Sequence, residues 1–326
     1  MTLNGSAMTR RDAALVLGFL LIDDFALMSY AVLVEAFRAA NTLSGRTLYR
    51  WRHYSVAGAP ARASNGVEIV VDGVPDARAE PCDILFVCAG GNPSAFADSE
   101  TFSRLRAAAA RGTIIAGVSG GPYILARAGL LAGRRCTVHW EHEPAFREAF
   151  PQLAVEGGLY VIDGPRITCA GGTAGLDLAV ELIGRHQGPE IAAQVGEWFI
   201  RTQPREGSGA QRQALAARYH VSHSGVVAAL AAMEAHIAEP LDRRDLAARA
   251  GVSLRQLERL FAQHIGQTIG QHYLALRLDA ARRLLRETGL SRIEVAVACG
   301  FSDVSHFSRS FRRRFGQSPL QARSRR

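Results

Sequence analysis

A repeat in the last third of the chain is the sequence feature that most constrains its fold. Residues 250–253 read Ala-Gly-Val-Ser, and residues 299–302, about fifty positions later, read Cys-Gly-Phe-Ser. The similarity continues through residues 254–268 and, with one extra residue in the second copy, through residues 303–318. Apolar residues at helical spacing flank each glycine-containing turn, so each copy predicts a helix-turn-helix. The predicted helices are 241–250 and 254–264 in the first copy, and 293–298 and 304–315 in the second. Many single helical hairpins bind nothing, but two matched copies on one chain favour DNA binding.

The second helix of each copy has an apolar face and a polar face. In the first copy the apolar stripe leaves four polar residues outside: Arg255, Gln256, Glu258 and Arg259. In the second copy it leaves six outside: Ser305, His306, Ser308, Arg309, Arg312 and Arg313. Arginine, glutamine and serine suit base edges in a major groove, and arginine also suits phosphates. These faces are either DNA-reading surfaces, which we favour for Arg255, Arg259 and Arg309, or solvated surfaces. The run Arg312-Arg313-Arg314 suits phosphates or solvent.

Charge separates this part of the chain from the rest. All 38 basic residues are arginine. Residues 226–326 contain 17 Arg and 9 Asp or Glu, a net charge of +8, whereas residues 1–225 contain 21 of each kind and are neutral. A basic region behind a neutral one indicates a polyanion partner. Two helix-turn-helix units on one chain would enter successive major-groove segments about 34 Å apart.

The last third of the chain resembles the AraC/XylS family of transcriptional activators. The resemblance rests on residues 300–303 (GFSD), 306–309 (HFSR) and 315–319 (FGQSP). It implies a bipartite all-α DNA-binding domain whose recognition helices begin near Ser253 and Asp303. The DNA-binding residues that follow from this resemblance and from the polar faces are Ser253, Arg255, Gln256, Glu258, Arg259, Val304, Ser305, His306, Ser308, Arg309, Arg312 and Arg313.

The first two thirds of the chain have a different pattern. Short apolar runs alternate with helical stretches, which favours a doubly wound α/β domain with a largely parallel sheet. The predicted strands are 13–21, 52–57, 84–88, 113–118 and 166–170. The predicted helices between them are 28–43, 101–111, 122–128 and 173–186. Changes in pattern predict a ligand-sensing domain over residues 11–187, a helical linker over 188–225 and a DNA-binding domain over 226–324.

A possible catalytic motif lies in the first domain. Residues 117–121 (GVSGG) satisfy G-x-S-x-G, the nucleophile elbow of α/β-hydrolases, between a predicted strand and a predicted helix. Hydrolases of that fold place an acid and then a histidine after the serine, but no Asp or Glu lies between Ser119 and His139. A Ser119–His139 dyad stays open, because catalytic neighbours need not follow sequence order. We favour the alternative, a serine that lines a pocket and binds a ligand at a helix N-terminus.

Residues 13–186 resemble the PfpI/ThiJ branch of the class I glutamine amidotransferase-like superfamily, which has a flavodoxin-like fold. The resemblance rests on residues 86–91, 116–131 and 137–139. Catalytic members carry a cysteine in the elbow, assisted by a histidine and an acidic residue. The resemblance places Ser119 at the cysteine position and Ser29 at the acidic position, so thiolate catalysis is not expected. The predicted ligand-lining residues are Ser29, Gly90, Gly91, Ser119, Gly120, His139 and Trp140.

Aromatic residues add to this predicted pocket. Trp140, with Tyr123 or Tyr30, would attract a quaternary ammonium through cation–π contact, and core packing is the alternative for Trp140 and Tyr123. His139 suits a pocket wall better than a purely structural position. The pair Gly90-Gly91 belongs either to the pocket or to an ordinary turn. No metal is predicted, because no Cys/His cluster has the spacing of a zinc site, and no cofactor is predicted either.

A PfpI-like domain followed by an AraC-type domain is the layout of the GlxA family of regulators, which the chain resembles over nearly its whole length. Residues 35–41 (EAFRAAN) and 48–51 (LYRW) look most like members that sense carnitine, glycine betaine, arginine or related nitrogen compounds. We therefore expect a dimeric, non-enzymatic transcriptional activator with three partners: a double-stranded DNA operator, a small-molecule effector and RNA polymerase. The rivals are a hydrolase that uses Ser119 and His139, and an architectural DNA-binding protein that responds to no ligand.

Cysteine usage and the apolar start bear on the compartment. Five scattered cysteines form no disulfide or zinc pattern, which indicates a reducing cytoplasm. The apolar run 13–22 follows two arginines but is shorter than the roughly 20 residues that cross a bilayer, and no cleavage site follows it. We expect this run to form a buried first strand, with neither export nor a membrane partner.

Overall fold

The computed structural model describes residues 13–75 and 81–324, and the chain divides into two compact units between Gln211 and Arg212. Residues 11 and 12, with which the predicted sensing domain begins, lie outside the described residues. The first unit contains the α/β part of the chain, and the second is helical. This division lies inside the segment that the sequence pattern predicted as a linker.

The first unit is built on a six-stranded sheet with the order β2-β1-β5-β6-β10-β9. Its strands and those of two small two-stranded pairs are β1 Leu15–Leu21, β2 Tyr49–Ser55, β3 Ala61–Arg62, β4 Glu68–Ile69, β5 Ile84–Ala89, β6 Ile114–Ser119, β7 Arg135–Cys136, β8 Ala154–Val155, β9 Tyr160–Asp163 and β10 Arg166–Cys169. Every neighbouring pair in the large sheet is parallel except β10 with β9. Strands β1, β5 and β6 are apolar almost throughout, as expected where both faces are covered.

Helices cover both faces of the large sheet. They are α1 Leu27–Ser44, α2 Ser99–Ala110, α3 Gly121–Arg127, α4 Glu143–Ala149, α5 Ala174–Gln187 and α6 Pro189–Trp198. On one face, Leu17 and Phe19 of β1 join a core with α1, α5 and α6. On the other face, Leu20 of β1 joins a core that includes Leu105 of α2 and Phe146 of α4. The alternation of β1 between the two cores confirms the doubly wound α/β fold.

Helix α6 lies in the predicted linker but packs as part of the first unit. Ala192 and Val195 are buried in the core formed with α1 and α5. Their spacing on one face of a short helix explains why this segment docks rather than remaining solvated. Gly188 separates α5 from α6. Its φ of 95° is a backbone conformation that would be strained for any other residue.

The second unit consists of helices and contains both copies of the repeat. Its helices are α7 Leu215–Tyr219, α8 Ser224–Ala235, α9 Arg243–Arg249, α10 Leu254–Ile265, α11 Ile269–Glu287, α12 Arg292–Ala298, α13 Val304–Phe315 and α14 Pro319–Ser324. The pairs α9–α10 and α12–α13 are the two predicted helix-turn-helix units, and α11 joins them in the chain. Leu257 and Phe261 of α10 pack in a core with α8 and α11. In the second copy the Phe307 ring packs at a tilt against Phe301 and edge-on against Phe311.

The apolar start of the described chain is strand β1, buried in the sheet as expected. No helix within residues 13–75 and 81–324 is both long and apolar enough to cross a membrane. Likewise, no group of three or more metal-ligating side chains comes together within these ranges.

Candidate functional sites

The first copy of the repeat presents the predicted polar face to solvent. The turn from α9 to α10 passes through Gly251, whose φ is 68°. Ser253 then starts α10, because its Oγ accepts the backbone N–H of Gln256 at 3.3 Å. With Leu257 and Phe261 buried beneath, the outward residues Arg255, Gln256, Glu258 and Arg259 are exposed.

The second copy repeats this arrangement with a different cap. Its turn passes through Gly300, with φ of 73°, and Asp303 Oδ1 accepts the backbone N–H of Ser305 at 2.7 Å. Phe307 and Phe311 are buried, which leaves Ser305, His306, Arg309, Arg312 and Arg313 exposed. A guanidinium nitrogen of Arg309 lies 3.8 Å from an Asp303 carboxylate oxygen. Because both side chains are more than half exposed, this ion pair is weak and competes little with DNA.

The described residues leave most of the predicted arginines free of ion pairs. Among residues 13–75 and 81–324, no ion pair involves Arg255, Arg259, Arg312 or Arg313. Unpaired, exposed guanidinium groups on two matched helices suit contact with phosphates and base edges. Their DNA contacts stay predictions.

Three residues of α13 also make hydrogen bonds within the protein. The Ser308 hydroxyl donates to the Val304 carbonyl oxygen at 2.8 Å, and both residues are half-buried, so they offer less surface than the arginines. Arg314 is exposed like Arg312 and Arg313, but it also makes an ion pair within the protein. Its guanidinium donates to both carboxylate oxygens of Asp279 on α11, at 2.5 and 3.4 Å. Arg314 therefore fixes α13 against α11.

Sequence reasoning missed one residue that positions the second turn. Arg277 of α11 donates from Nε to the Cys299 carbonyl oxygen at 2.8 Å and from a terminal nitrogen to the Gly300 carbonyl oxygen at 2.6 Å. Its guanidinium also lies 4.1 Å from the centre of the Phe301 ring. Arg277 thus holds the end of α12 and the following turn. Nothing in the local sequence distinguishes it from the other arginines, because its partners are more than twenty residues away.

In the first unit, three chain segments converge at the carboxyl ends of the strands. Ser119 ends β6 with φ of 60°, a conformation that non-glycine residues adopt at a cost. Ser29 of α1 is buried, and its Oγ accepts the backbone N–H of Gly172 at 2.7 Å. A Cβ atom on Gly171 would lie 2.7 Å from Ser119 Cβ and 2.8 Å from Ser29 Oγ. The two predicted serines therefore meet beside a glycine pair.

Gly171 and Gly172 were not among the predicted pocket residues. They follow β10 after a single residue, so the rule that ligands bind beyond the carboxyl ends of parallel strands would have included them. Because a Cβ at Gly171 would overlap both serines, glycine is what lets the backbone approach them this closely.

The predicted glycines after β5 and β6 allow close backbone approach. A Cβ on Gly90 would lie 2.6 Å from the Asp24 carbonyl oxygen, and a Cβ on Gly120 would lie 3.0 Å from the Pro93 ring. Gly120 donates its N–H to the Ala89 carbonyl oxygen at 3.0 Å, which ties the two strand ends together. Gly91 has φ of 55° and is exposed. These glycines therefore shape the backbone at the strand ends.

His139 and Trp140 lie next to Ser119 along the backbone. The N–H of His139 donates to the Ser119 carbonyl oxygen at 3.4 Å. The rings of His139 and Trp140 are half-buried, with centres 5.4 Å apart. His139 Nδ1 accepts the backbone N–H of Glu141 at 3.3 Å. Since Nδ1 is an acceptor, the ring proton of neutral His139 is on Nε2.

Two tyrosines considered for the pocket belong to the cores instead. Tyr123 is 1% exposed and packs edge-on against Phe146, with ring centres 5.0 Å apart. Tyr30 is buried too, and its hydroxyl is hydrogen-bonded to His53 Nε2 at 2.8 Å. Burial of both rings leaves Trp140 and His139 as the aromatic pair at this site.

The environment of His139 predicts a pH dependence of stability. Burial lowers the pKa of His139, the adjacent His142 lowers it further, and Glu141 opposes these effects. A folded-state pKa below that of the unfolded chain means that the unfolded chain binds more protons on acidification. The free energy of unfolding should therefore fall between about pH 7.5 and about pH 5.5, around the ordinary imidazole pKa of about 6.5.

Replacing His139 with glutamine should reduce this fall. It should not abolish it, because burial also lowers the pKa of His53, His186 and His272. Urea denaturation at the two pH values measures the difference, and His220→Gln, at an exposed position after α7, is the matched control. An equal fall in His139→Gln and in the parent would contradict the expectation.

Comparison with known proteins agrees with both units. The model of the DJ-1/PfpI family matches residues 16–185, and a helix-turn-helix domain model matches residues 246–325. The HTH-type transcriptional regulator CdhR of Pseudomonas aeruginosa is 45% identical over 306 residues, which are 94% of this chain and 90% of that protein. The HTH-type transcriptional regulator GlxA of Rhizobium meliloti is 42% identical over 310 residues, 95% of each chain.

A solved structure supports the fold. The crystal structure of an AraC family transcriptional regulator from Pseudomonas putida superposes with a TM-score of 0.52 at 24% identity, over 57% of this chain and 99% of that one. At that identity the likeness shows the fold alone. The two sequence relatives, by contrast, match nearly the whole chain in one continuous layout. The chain therefore belongs to the GlxA family of transcriptional regulators, in which a DJ-1/PfpI domain precedes an AraC-type helix-turn-helix domain.

Proposed function

We propose that this regulator activates transcription from its operator when a small metabolite binds beside Ser119, His139 and Trp140. The observation that supports the sensing role is the convergence of two buried serine side chains, Ser29 and Ser119, on the glycine pair Gly171-Gly172 at the carboxyl ends of the strands in a DJ-1/PfpI fold. Serine hydroxyl groups at a binding site can fix the orientation of a bound ligand.

We propose a nitrogen compound as the effector, of the class of carnitine, glycine betaine or arginine. The Ser29 oxygen accepts from Gly172, which leaves its hydroxyl proton for an acceptor such as a ligand carboxylate. The half-buried ring of Trp140 offers an aromatic face to a cationic nitrogen, through a contact worth about 0.5–2 kcal/mol. An anionic group and a cationic group on one small molecule would satisfy both sides.

We propose that the site binds without catalysing. Serine replaces the cysteine nucleophile that the fold's enzymes use, and its hydroxyl needs a base to become reactive. His139 suits that role poorly, because its Nδ1 is occupied by the Glu141 N–H and its Nε2 carries the proton. Hydrolysis of model esters or amides that disappears in Ser119→Ala would instead support the rival enzyme.

The remaining partners follow from the same proposal. The regulator would bind double-stranded operator DNA as a homodimer in the cytoplasm and contact RNA polymerase there. The five cysteines are free thiols, and four of them are buried, as suits a reducing compartment. Sedimentation of the purified chain with and without operator would test the dimer.

A thermal-shift experiment tests the effector. Glycine betaine, carnitine or arginine at 100 times its dissociation constant should stabilise the sensing unit by about 2.7 kcal/mol. Trp140→Ala and Ser119→Ala should remove the shift, since each deletes a contact with the ligand. Trp198→Ala, on the half-exposed face of α6, should keep it. Absence of a shift with all three compounds in the parent protein would exclude this effector class.

A further inference from the structure

Residues 199–211, called the strap below, run from the end of α6 to the end of the first unit and are anchored along their length. The first anchor is Asp177 of α5, whose side chain is 1% exposed. Its carboxylate accepts from Arg201 Nε at 2.8 Å and also pairs with Arg205. A buried carboxylate held by two guanidinium groups is costly to leave unpaired, so this end of the strap is fixed.

The middle of the strap is bonded to the backbone next to the sheet edge. The Gly207 carbonyl oxygen accepts the N–H of Leu159 at 2.7 Å. A Cβ atom on Gly158 would lie 2.4 Å from the same oxygen, so glycine is required for this approach. The strap therefore lies against residues 158–159.

The end of the strap is held by the side chain of one residue, Gln211. Its Oε1 accepts the backbone N–H of Trp140 at 2.7 Å. Its Nε2 lies within donor distance of the carbonyl oxygens of Val138 and Gly158, both at 2.9 Å, and of Thr137 Oγ1 at 3.1 Å. Both amide hydrogens and the amide oxygen of Gln211 are thereby engaged, with Gly158 and with the loop of residues 137–140, which forms one wall of the candidate pocket.

That wall also contacts the candidate pocket on its other side. The N–H of His139 donates to the Ser119 carbonyl oxygen, while the next N–H, that of Trp140, donates to Gln211. Two consecutive amides thus bond the loop to the end of β6 and to the strap. A ligand that holds Trp140 in place would therefore also hold the backbone N–H of Trp140, which donates to Gln211 at the end of the strap.

The residue after Gln211 is anchored within the other unit. Arg212 begins the second unit, where its guanidinium lies 3.7 Å from the carboxylate of Glu234 on α8. Gln211 and Arg212 are thus neighbours in the chain, and each is anchored within its own unit.

Building on the proposed sensing function, we propose that Gln211 is the positioning residue that couples pocket occupancy to the connection between the units. The strap has a closed state, with Gln211 bonded to the loop of residues 137–140, and an open state without these bonds. The loop is ordered only in the closed state. A ligand beside His139 and Trp140 contacts the ordered loop and therefore favours the closed state. By linkage, opening the strap weakens ligand binding by the same factor.

Limited trypsin digestion of the full-length protein tests the strap without a ligand. Gln211→Leu should speed cleavage after Arg212, next to the lost bonds, by at least tenfold, which corresponds to about 1.4 kcal/mol of lost closure. Gln211→Glu keeps the volume but turns a carboxylate oxygen toward two carbonyl oxygens, so it should open the strap as well. Gln213→Leu, at an exposed position, is the matched control and should cleave like the parent. Circular dichroism melting shows whether the variants remain folded.

The same digestion with glycine betaine, carnitine or arginine tests the coupling. A compound that raises the melting temperature of the parent should slow cleavage in the parent and in Gln213→Leu, and should slow it much less in Gln211→Leu. Equal cleavage of Gln211→Leu and Gln213→Leu, or equal slowing by ligand in both, would overturn the proposal. If no compound changes the parent's melting temperature, the effector class is wrong, and the ligand-free comparison alone decides whether Gln211 closes the strap.

Discussion

Replacing Arg259 and Arg309 together with alanine should weaken operator binding by about 2–6 kcal/mol, from about 1–3 kcal/mol for each base-reading arginine. The two residues occupy equivalent positions in the two copies of the repeat, each two residues after a buried core residue, Leu257 or Phe307. Losses at two separate base contacts should add, because the sites share no partner.

The single variants separate the two halves of the operator. Arg259→Ala should relax base discrimination in one half-site and Arg309→Ala in the other, since each side chain extends from its own recognition helix. The Asp303 carboxylate near Arg309 is exposed and 3.8 Å away, so it does not hold the guanidinium back from DNA.

Fluorescence anisotropy at a fixed salt concentration measures these affinities, with an operator selected from random sequences by the parent protein. Arg286→Ala removes an exposed arginine from α11, outside both recognition helices, and controls for the loss of charge alone. If Arg259→Ala or Arg309→Ala weakens binding equally for all sequences, that arginine contacts phosphate and does not read a base.

The repeat carried most of what the sequence could predict about the second unit. Its apolar spacing predicted α10 and α13 to within one residue at their ends. Helix α9 was predicted to begin at residue 241, but it begins at Arg243. Asp242 caps it, because its Oδ1 accepts the backbone N–H groups of Arg244 and Asp245 at 2.7 and 2.8 Å. Local caps of this kind are readable from sequence once a start signal is sought.

In the first unit, prediction failed for short or half-exposed elements and for contacts between residues distant in sequence. Strands β1, β5 and β6 were found because buried parallel strands are continuous apolar runs. The antiparallel edge strand β9 and helix α4 were missed, since β9 is half-exposed and α4 is only two turns long. For the candidate pocket, the G-x-S-x-G motif located Ser119 and its neighbours. Whether Tyr30 and Tyr123 line the pocket or pack in the core depended on partners distant in sequence.

The hydrogen bonds of Gln211 could not be predicted from the sequence either. It lies in a polar segment whose composition is typical of a solvated linker. Its four partners, however, belong to residues 137–158, more than fifty positions earlier. A single sequence contains no local signal for such a contact. The same applies to Arg277, whose role in the second turn depends on how α11 and α12 pack.

The turn glycines of the two copies should respond very differently to alanine, although the repeat aligns them. Both have positive φ, 68° at Gly251 and 73° at Gly300, so alanine at either position costs about 1–2 kcal/mol of backbone strain. At Gly251 no atom lies within 4 Å of an added Cβ. At Gly300 the added Cβ would lie 2.6 Å from the Pro240 ring and 2.7 Å from the Ile237 carbonyl oxygen.

Gly300→Ala should therefore lower the free energy of unfolding of the second unit by about 2–5 kcal/mol, the backbone strain plus about 1–3 kcal/mol of overpacking. Gly251→Ala should lower it by the strain alone. Amide hydrogen exchange of peptides from α9–α10 and α12–α13 measures each copy separately. Because Gly300 is part of the turn that Arg277 holds, operator binding should fall more in Gly300→Ala than in Gly251→Ala. Equal losses in the two variants would mean that residues 237–240 yield to the new side chain, and that backbone conformation alone makes glycine necessary at both turns.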